Sequence, residues 1–379
     1  IGNFLARENP IVQHYVWPIF IIGMAMAYFE VFYAWVRVRM KSVFGNFMKE
    51  VFSRIGVTFL LFLLYFDVIV VEVFIPAAVG LYLLRTLMMC TYAFRIRMPR
   101  LVFNFPGNIR NILAYTTLII FGGSAAVVLL EIDKVMINQF IEIENVAYYS
   151  VAGFIAMVIA VPSRSMHQIT YPLTAELLNK DDTLALKELY QRSSLTLFIV
   201  SGLLFILILL NLNDLYELLP EAYRNGFVIF VWLGLAKVYD ALLGNNNSIL
   251  YNSDYYRTVL LMGVLLAAMT ILFNIWLIPE YGIDGAAIAS FSAFFIYNSM
   301  KLWYVNSKFG ILPFTSETLK VTLLLGIIGL PLYFLDFPFH PILNIVLKGL
   351  LILFIYVGML YRFKISEDVF GVLSRFLRR

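Results

Sequence analysis

The stretch LTLFIVSGLLFILILL (Leu195–Leu210) decides the class of this protein. It sits in an uncharged run that extends from Ser193 to Asn213, between Arg192 and Asp214. A transmembrane helix needs about 20 largely apolar residues, and this run supplies them. Similar runs, bounded by charge, Pro/Gly or Asn, recur along the whole chain. Eleven are legible, near Ile11–Val36, Ile55–Val70, Val71–Ala93, Ile112–Leu130, Val146–Arg164 and Leu195–Leu210, then Phe227–Leu243, Thr258–Ile278, Gly285–Trp303, Leu319–Phe334 and Ile342–Tyr361. The second and third nearly touch, with Asp67 and Glu72 marking a tight turn between them. The longest connection, about Gln168–Ser194, is too short for a soluble domain.

Composition agrees with the runs. Of 379 residues, 61% are hydrophobic and 14% charged, and the mean hydropathy is +0.85. A soluble chain carries about 25% charged residues, and one globular core stops growing at roughly 250–300 residues. The apolar surplus therefore faces lipid, and the fold class expected is an all-α polytopic membrane protein. Nucleic-acid binding, collagen, disorder and a small disulfide scaffold are excluded by the same figures. Cys90 is the single cysteine, so no intramolecular disulfide forms. The three histidines (His14, His167 and His340) fall in separate segments without ligand spacing, and no cofactor is expected.

Orientation follows from the placement of Lys and Arg, which concentrate on the cytoplasmic side of membrane proteins. With Arg37–Arg54 placed inside, 21 of the 28 basic residues fall on inner loops and inner span ends, and only Arg7, Lys134 and Arg224 fall outside. The outer segments are acidic instead, with Glu131, Asp133, Glu142 and Glu144, then Asp214, Glu217 and Glu221. This asymmetry predicts a cytoplasmic C-terminus.

Three stretches have a family look. Asp133-Lys134-Val135-Met136-Ile137 with Val146-Ala147-Tyr148-Tyr149-Ser150-Val151-Ala152 is the first. Gly244-Asn245-Asn246-Asn247-Ser248-Ile249-Leu250 is the second, and Leu277-Ile278-Pro279-Glu280-Tyr281-Gly282-Ile283-Asp284-Gly285-Ala286-Ala287 the third. They resemble helix joins of bacterial polysaccharide and O-antigen flippases, a branch of the multidrug/oligosaccharidyl-lipid/polysaccharide exporter superfamily. The resemblance covers the whole chain and implies a fold of about fourteen helices, as two six-helix lobes plus two C-terminal helices. Because the chain starts at Ile1 rather than methionine, eleven spans would be helices four to fourteen, with the first three lacking. Residues 1–105 would then be the rest of the N-terminal lobe, 106–312 the C-terminal lobe, and 313–379 the two added helices and a cytoplasmic tail. The resemblance also implies a bacterial inner-membrane protein that flips undecaprenyl-diphosphate-linked oligosaccharide, by alternating access, for surface polysaccharide such as the O-antigen of lipopolysaccharide. Membrane lipids and a coupling ion, H+ or Na+, would be its other partners.

Ionisable side chains at membrane depth are costly, and they are candidates for function. Glu30 lies well inside the first span, either as a substrate or ion group or as a carboxyl satisfied by Tyr and backbone partners. Lys237 and Asp240 share one helix face; they would neutralise each other as a buried pair or serve ligand or ion coupling. Arg85 would meet a pyrophosphate through its guanidinium fork or snorkel to the interface. Arg164 and His167, after Pro162, would hold an anionic head group, with His167 also able to take a proton, or would simply flank a span. Lys348, in the last span, reads as snorkelling or lipid-contacting.

No His-Glu-x-x-His, Gly-x-Ser-x-Gly or Walker sequence occurs, so nothing in the chain points to hydrolysis or ATP-driven pumping. A drug or cation antiporter of the same superfamily is the nearest alternative, and it would want carboxylates where Arg85, Arg164 and Lys237 stand. A membrane glycosyltransferase or polymerase would need a sizeable catalytic outer loop, which this chain lacks. The orientation is tested by single cysteines at Asn213 and Ser366 in a Cys90-free background. An impermeant thiol reagent at the outer face will modify the Asn213 site and spare the Ser366 site.

Overall fold

The computed structural model describes residues 12–37, 39, 41, 43–99 and 107–366. Ile11, Arg7, Arg100 and the basic tail with Arg375, Arg378 and Arg379 lie outside the described residues. The chain divides into two compact units, Ile1–Ala114 and Tyr115–Arg379. Every regular element among the described residues is helical.

In the first unit, α1 (Val12–Arg37) packs on α4 (Val71–Ile96). Between them, α2 (Val43–Asn46) runs through a π-helical turn (Phe47–Phe52) into α3 (Ser53–Tyr65). The segment expected as an inner loop up to Arg54 is therefore helical from Val43 onward. Its charges misled the reading: Lys49, Glu50 and Arg54 look like loop residues, yet Lys49 and Arg54 both have acidic partners on helices. The turn after α3 contains Asp67 at φ 54. Phe29, Tyr33 and Val36 of α1 form the core with Met48 of the π-helical turn and Met89 and Ala93 of α4. The Thr86 hydroxyl donates to the Ala25 carbonyl at 2.8 Å, tying α4 to α1. Hydrophobic burial does not drive such packing in lipid; close contact and hydrogen bonds do.

The second unit takes up α5 (Ile109–Phe140) from Tyr115 onward. It continues with α6 (Glu144–Met157), a 3₁₀ turn (Val158–Ala160) and α7 (Val161–Asn179). Pro162 removes a backbone donor at the start of α7, and the 3₁₀ turn before it absorbs the break. Next come α8 (Thr183–Leu210), α9 (Leu212–Glu217), a 3₁₀ turn (Glu221–Gly226), α10 (Phe227–Leu242) and α11 (Asn246–Tyr251). The 54-residue α12 (Tyr256–Phe309), α13 (Ser316–Tyr333) and α14 (Pro341–Phe363) complete it. The connection expected over Gln168–Ser194 is mostly helix as well. Only a short turn ends α7, and the Asp182 carboxylate caps α8 by accepting from the Ala185 amide at 3.0 Å.

Eight helical runs among the described residues are long and apolar enough to cross a membrane, α8 and α12 among them. Within α12 the helix breaks at Gly282, whose φ of 57° and ψ of −136° only glycine adopts readily. The chain reverses there: the Tyr255 and Tyr304 rings lie 5.6 Å apart, and the Thr258 and Tyr304 hydroxyls are 3.2 Å apart. The two spans expected at Thr258–Ile278 and Gly285–Trp303 are the two arms of this hairpin. Gly285 closes it, since a Cβ there would stand 2.1 Å from the Leu277 carbonyl oxygen. The next two residues, Ala286 and Ala287, are fully buried against Tyr149, Ile229 and Ile278.

Helices α13 and α14 pack on α8 through Phe198, Ile199 and Ile206 against Val321, Ile328, Ile352 and Tyr356. The Tyr356 hydroxyl donates to the Ile199 carbonyl at 2.9 Å. Lys348 departs from the snorkelling or lipid-facing reading. It is buried on α14 and donates to Asp336 at 2.8 Å, while Asn344, one turn earlier, donates to both carboxylate oxygens of Asp214.

The α12 hairpin yields a prediction. Replacing Gly285 by alanine drives a Cβ into backbone, and Gly282→Ala forces a side chain into a sparsely populated conformation costing about 1–3 kcal/mol. Both variants will unfold at lower temperature in detergent. Gly263→Ala, a control with nothing within 4 Å of the added carbon, will match the parent.

Candidate functional site

In the first unit, Arg85 is 5% exposed and does not snorkel. Its Nη1 donates to the Ser53 hydroxyl at 2.8 Å, and its guanidinium lies 4.1 Å from the centroid of the Phe29 ring and 5.1 Å from that of Tyr82. Its Nε is buried without a partner. Aromatic faces attract a cation that has been taken from water, which is how an arginine stays inside at this depth. Glu30 lies within electrostatic range of Arg85 but is half exposed, and it accepts a 2.6 Å ion-paired hydrogen bond from Lys49. Lys49 stands on the π-helical turn, a distortion often found at functional sites. Ser53 and Lys49 thus supply the partners that the sequence left open for Arg85 and Glu30.

In the second unit the polar groups build two adjoining centres. The first is Asp133 on α5, 8% exposed although it reads as an outer-loop acid in the sequence. Its carboxylate accepts from the Tyr149 hydroxyl of α6 at 2.9 Å and from the Asn274 amide of the first arm of α12 at 2.8 Å. It also accepts from the Ser290 hydroxyl of the second arm. All three donors are neutral. Burying a carboxylate is expensive unless it is paired and hydrogen-bonded, so this centre has room in its charge balance for a cation. The Asn274 Oδ1 is buried without a partner beside it. With Asp133 and the Ser290 hydroxyl, it gives three hard oxygens, a donor set suited to a small monovalent cation or a proton carried on the carboxylate. Among the described residues no three His, Cys, Asp or Glu side chains cluster as metal ligands.

The second centre collects charges from α7, α10 and α12. Lys237 and Asp240 lie one turn apart on α10, yet no ion-pair contact joins them, contrary to the pair expected from their spacing. The Lys237 ammonium instead stands 5.3 Å from the centroid of the Phe294 ring. The two remain within electrostatic range, and Arg164 and Asp133 act on Lys237 as well. Asp240 is shared: His167 and Lys301 both feel its charge. Lys301 is 1% exposed, donates to Asn247 at 2.8 Å and lies 4.3 Å from the centroid of the Tyr297 ring. Arg164 is exposed and His167 half-buried. Four of the six expected site residues, Arg164, His167, Lys237 and Asp240, thus belong to one electrostatic group.

Sequence reasoning missed Asp133, Asn274, Ser290 and Lys301. Asp133 sits in the quoted Asp133-Lys134 stretch, and Lys301 is one of the 21 inner basic residues; only their burial marks them. Between the two centres lies a cavity of about 70 Å³, walled by Asp133, Tyr149, Ser290, Lys237 and the Phe154 and Phe294 rings. A water needs about 10–15 Å³ of such space, so the cavity has room for small ions and waters.

The fold and these centres define a polytopic α-helical membrane protein with charged groups built into its interior. No family model matches the chain. It is 25% identical over 284 residues to an uncharacterized membrane protein of Methanocaldococcus jannaschii, covering 72% of this chain and 54% of that protein. The chain thus spans about half the length of the curated relative it matches. Among solved structures it is similar to lipid II flippase MurJ in an inward closed conformation, with a TM-score of 0.66 and 14% identity. That match covers 94% of this chain and 74% of the other. The fold resembles that of MurJ.

The shared charge of Asp240 generates a prediction. Asp240→Asn removes the carboxylate whose charge acts on the buried Lys301 and will lower the unfolding midpoint. Adding Lys301→Met will recover more than half of the loss in a thermal-unfolding series. Independent effects that simply add would show that the two charges do not compensate each other.

Proposed function

We propose that this protein moves an anionic, lipid-linked oligosaccharide across the membrane by alternating access, as a transporter and not an enzyme. The fold it shares with a flippase over nearly its whole described length carries this reading. The polar head of such a substrate must cross about 30 Å of hydrocarbon. Transporters of this general kind solve that problem with polar groups held at membrane depth while the structure rocks between two openings.

In this reading Arg164, Lys237 and His167 meet the diphosphate, since three nitrogen-bearing side chains from α7 and α10 stand within range of one another or of a shared carboxylate. Arg85 is a buried cation of the first unit whose Nε has no partner. Asp133, Asn274 and Ser290 would take the coupling cation, Na+ or a proton, because the hydrogen-bond donors to the buried Asp133 are all neutral and the Asn274 Oδ1 is buried without a partner. The substrate class, an undecaprenyl-diphosphate oligosaccharide for surface polysaccharide in a bacterial inner membrane, rests on the sequence resemblance. The cytoplasmic C-terminus rests on the basic asymmetry. The excess of cations over carboxylates around Asp240 favours this substrate over the cations of a drug antiporter.

Reconstitution tests the proposal. Vesicles containing the protein and a fluorescent polyprenyl-diphosphate oligosaccharide will expose the label to an impermeant quencher faster than protein-free vesicles. Arg164→Gln or Lys237→Gln will slow that exposure about tenfold or more, which is about 1.4 kcal/mol of lost stabilisation. A fluorescent polyprenyl diphosphate that stays put, with a lipophilic cation transported instead, would hand the protein to the antiporter reading.

A further inference from the structure

Lys348 is an interior charge with no part in the proposed transport. It lines a cavity of about 310 Å³ where the end of α8, α9 and the connection between α13 and α14 meet. That volume lies within the range usual for small-molecule pockets, about 300–1,000 Å³; the cavity beside Asp133 holds about 70 Å³. On the orientation that the basic residues predict, both contributing segments, the acidic α9 and the stretch between Tyr333 and Pro341, lie outside the membrane. The polar lining is tied together by its own hydrogen bonds. The Asn344 amide donates to both oxygens of Asp214 at 2.7 and 2.9 Å, and its carbonyl oxygen accepts from the Phe337 amide at 3.4 Å. One turn along α14, the Lys348 ammonium is 2% exposed and donates to Asp336 at 2.8 Å. An ammonium has three donors and a carboxylate about four acceptor sites, so both kinds of group keep capacity for a ligand. Glu217 adds an exposed carboxylate, and the Phe337 and Phe339 rings stack at 6.4 Å beside it on the cavity wall.

We propose that this cavity binds an uncharged sugar ring. Three carboxylates against one ammonium repel a phosphate or any other anion. A metal ion is poorly served as well, since Lys348 and Asn344 already engage Asp336 and Asp214. Among the described residues no three His, Cys, Asp or Glu side chains cluster as metal ligands. The lining instead suits a ligand that donates and accepts hydrogen bonds and also has an apolar face, and a pyranose has both. Its hydroxyls donate to the Asp214 and Glu217 carboxylates and accept from the Lys348 ammonium, while its C–H face lies on the exposed Phe339 ring. Hydrogen bonds to charged groups are the stronger kind, and a few fixed polar groups among aromatic faces are the usual make-up of a small-molecule pocket. The cavity would face the side to which a lipid-linked saccharide is delivered. That link to transport rests on the flippase reading, whereas the binding itself does not.

Saturation-transfer NMR of the full chain in detergent tests the site, with glucose, galactose and N-acetylglucosamine as probes and glucuronate as the anionic control. At least one of the three neutral sugars will receive magnetisation through its ring protons, and glucuronate will not. Glu217→Gln will weaken that binding about tenfold, as the loss of one hydrogen bond to a charged group does, and Phe339→Ala will weaken it to a similar extent. Both side chains are exposed, so both variants will keep the parent's unfolding midpoint. Glu221→Gln, at an outer acid away from the cavity, will bind as the parent does. No transfer to any neutral sugar, equal transfer to glucuronate, or binding undiminished in both cavity variants would overturn the site. Vesicles then identify the source of the sugar. If the cavity receives the delivered head group, the same two variants will slow exposure of the fluorescent lipid-linked oligosaccharide; if it takes a soluble glycan, exposure will keep the parent's rate. A parent that binds a neutral sugar but moves no lipid-linked oligosaccharide would keep the site and remove the transport reading.

Discussion

A buried carboxylate with three neutral donors organises the second unit. Asp133 draws Tyr149 from α6, Asn274 from the first arm of α12 and Ser290 from the second. In lipid, where apolar surface gains nothing by leaving the solvent, such polar contacts and close backbone approach decide which helices meet. Tyr149 is buried by the same packing that covers Ala286 and Ala287, so the α12 reversal at Gly282 and the Asp133 centre position each other. Loss of the glycine geometry would pull Asn274 and Ser290 away from the carboxylate they share.

The same economy recurs elsewhere. Lys348 reaches Asp336, Asn344 reaches Asp214 and Tyr356 reaches the Ile199 carbonyl, so α14 is held to its neighbours by these polar contacts as well as by the apolar seam along α8. Arg85 is housed by aromatic faces and a serine, with no carboxylate in direct contact. Lys301 uses an amide and a tyrosine ring in a similar way. Neither Arg85 nor Lys301 has a tight ion pair among the described residues.

Much of this molecule was legible in its residues. Uncharged runs such as Ser193–Asn213 place the spans, because hydrocarbon tolerates few charges along a helix. Pro279, Gly282 and Gly285 mark the α12 reversal through conformational demands that are local to the chain. Lys237 and Asp240 were identifiable as interior charges from their positions alone. Helix ends were less visible: α2 and the second half of α7 extend into stretches whose polarity resembles that of loops, since a helix leaving the hydrocarbon can carry charges freely.

Pairing was beyond the sequence's reach. Spacing put Lys237 beside Asp240, yet the contacts of each are set by α7 and α12, which arrive from other parts of the chain. Asp133 looked like one more outer acid, and Lys301 like one more inner flank. Their burial depends on neighbours more than a hundred residues away for Asp133 and about fifty for Lys301. Length, apolar runs and local turn chemistry are properties of contiguous residues, so the sequence alone determined the membrane class, most of the spans and the hairpin. Which charges face each other across a cavity is a property of helix packing, and only the tertiary structure decided it.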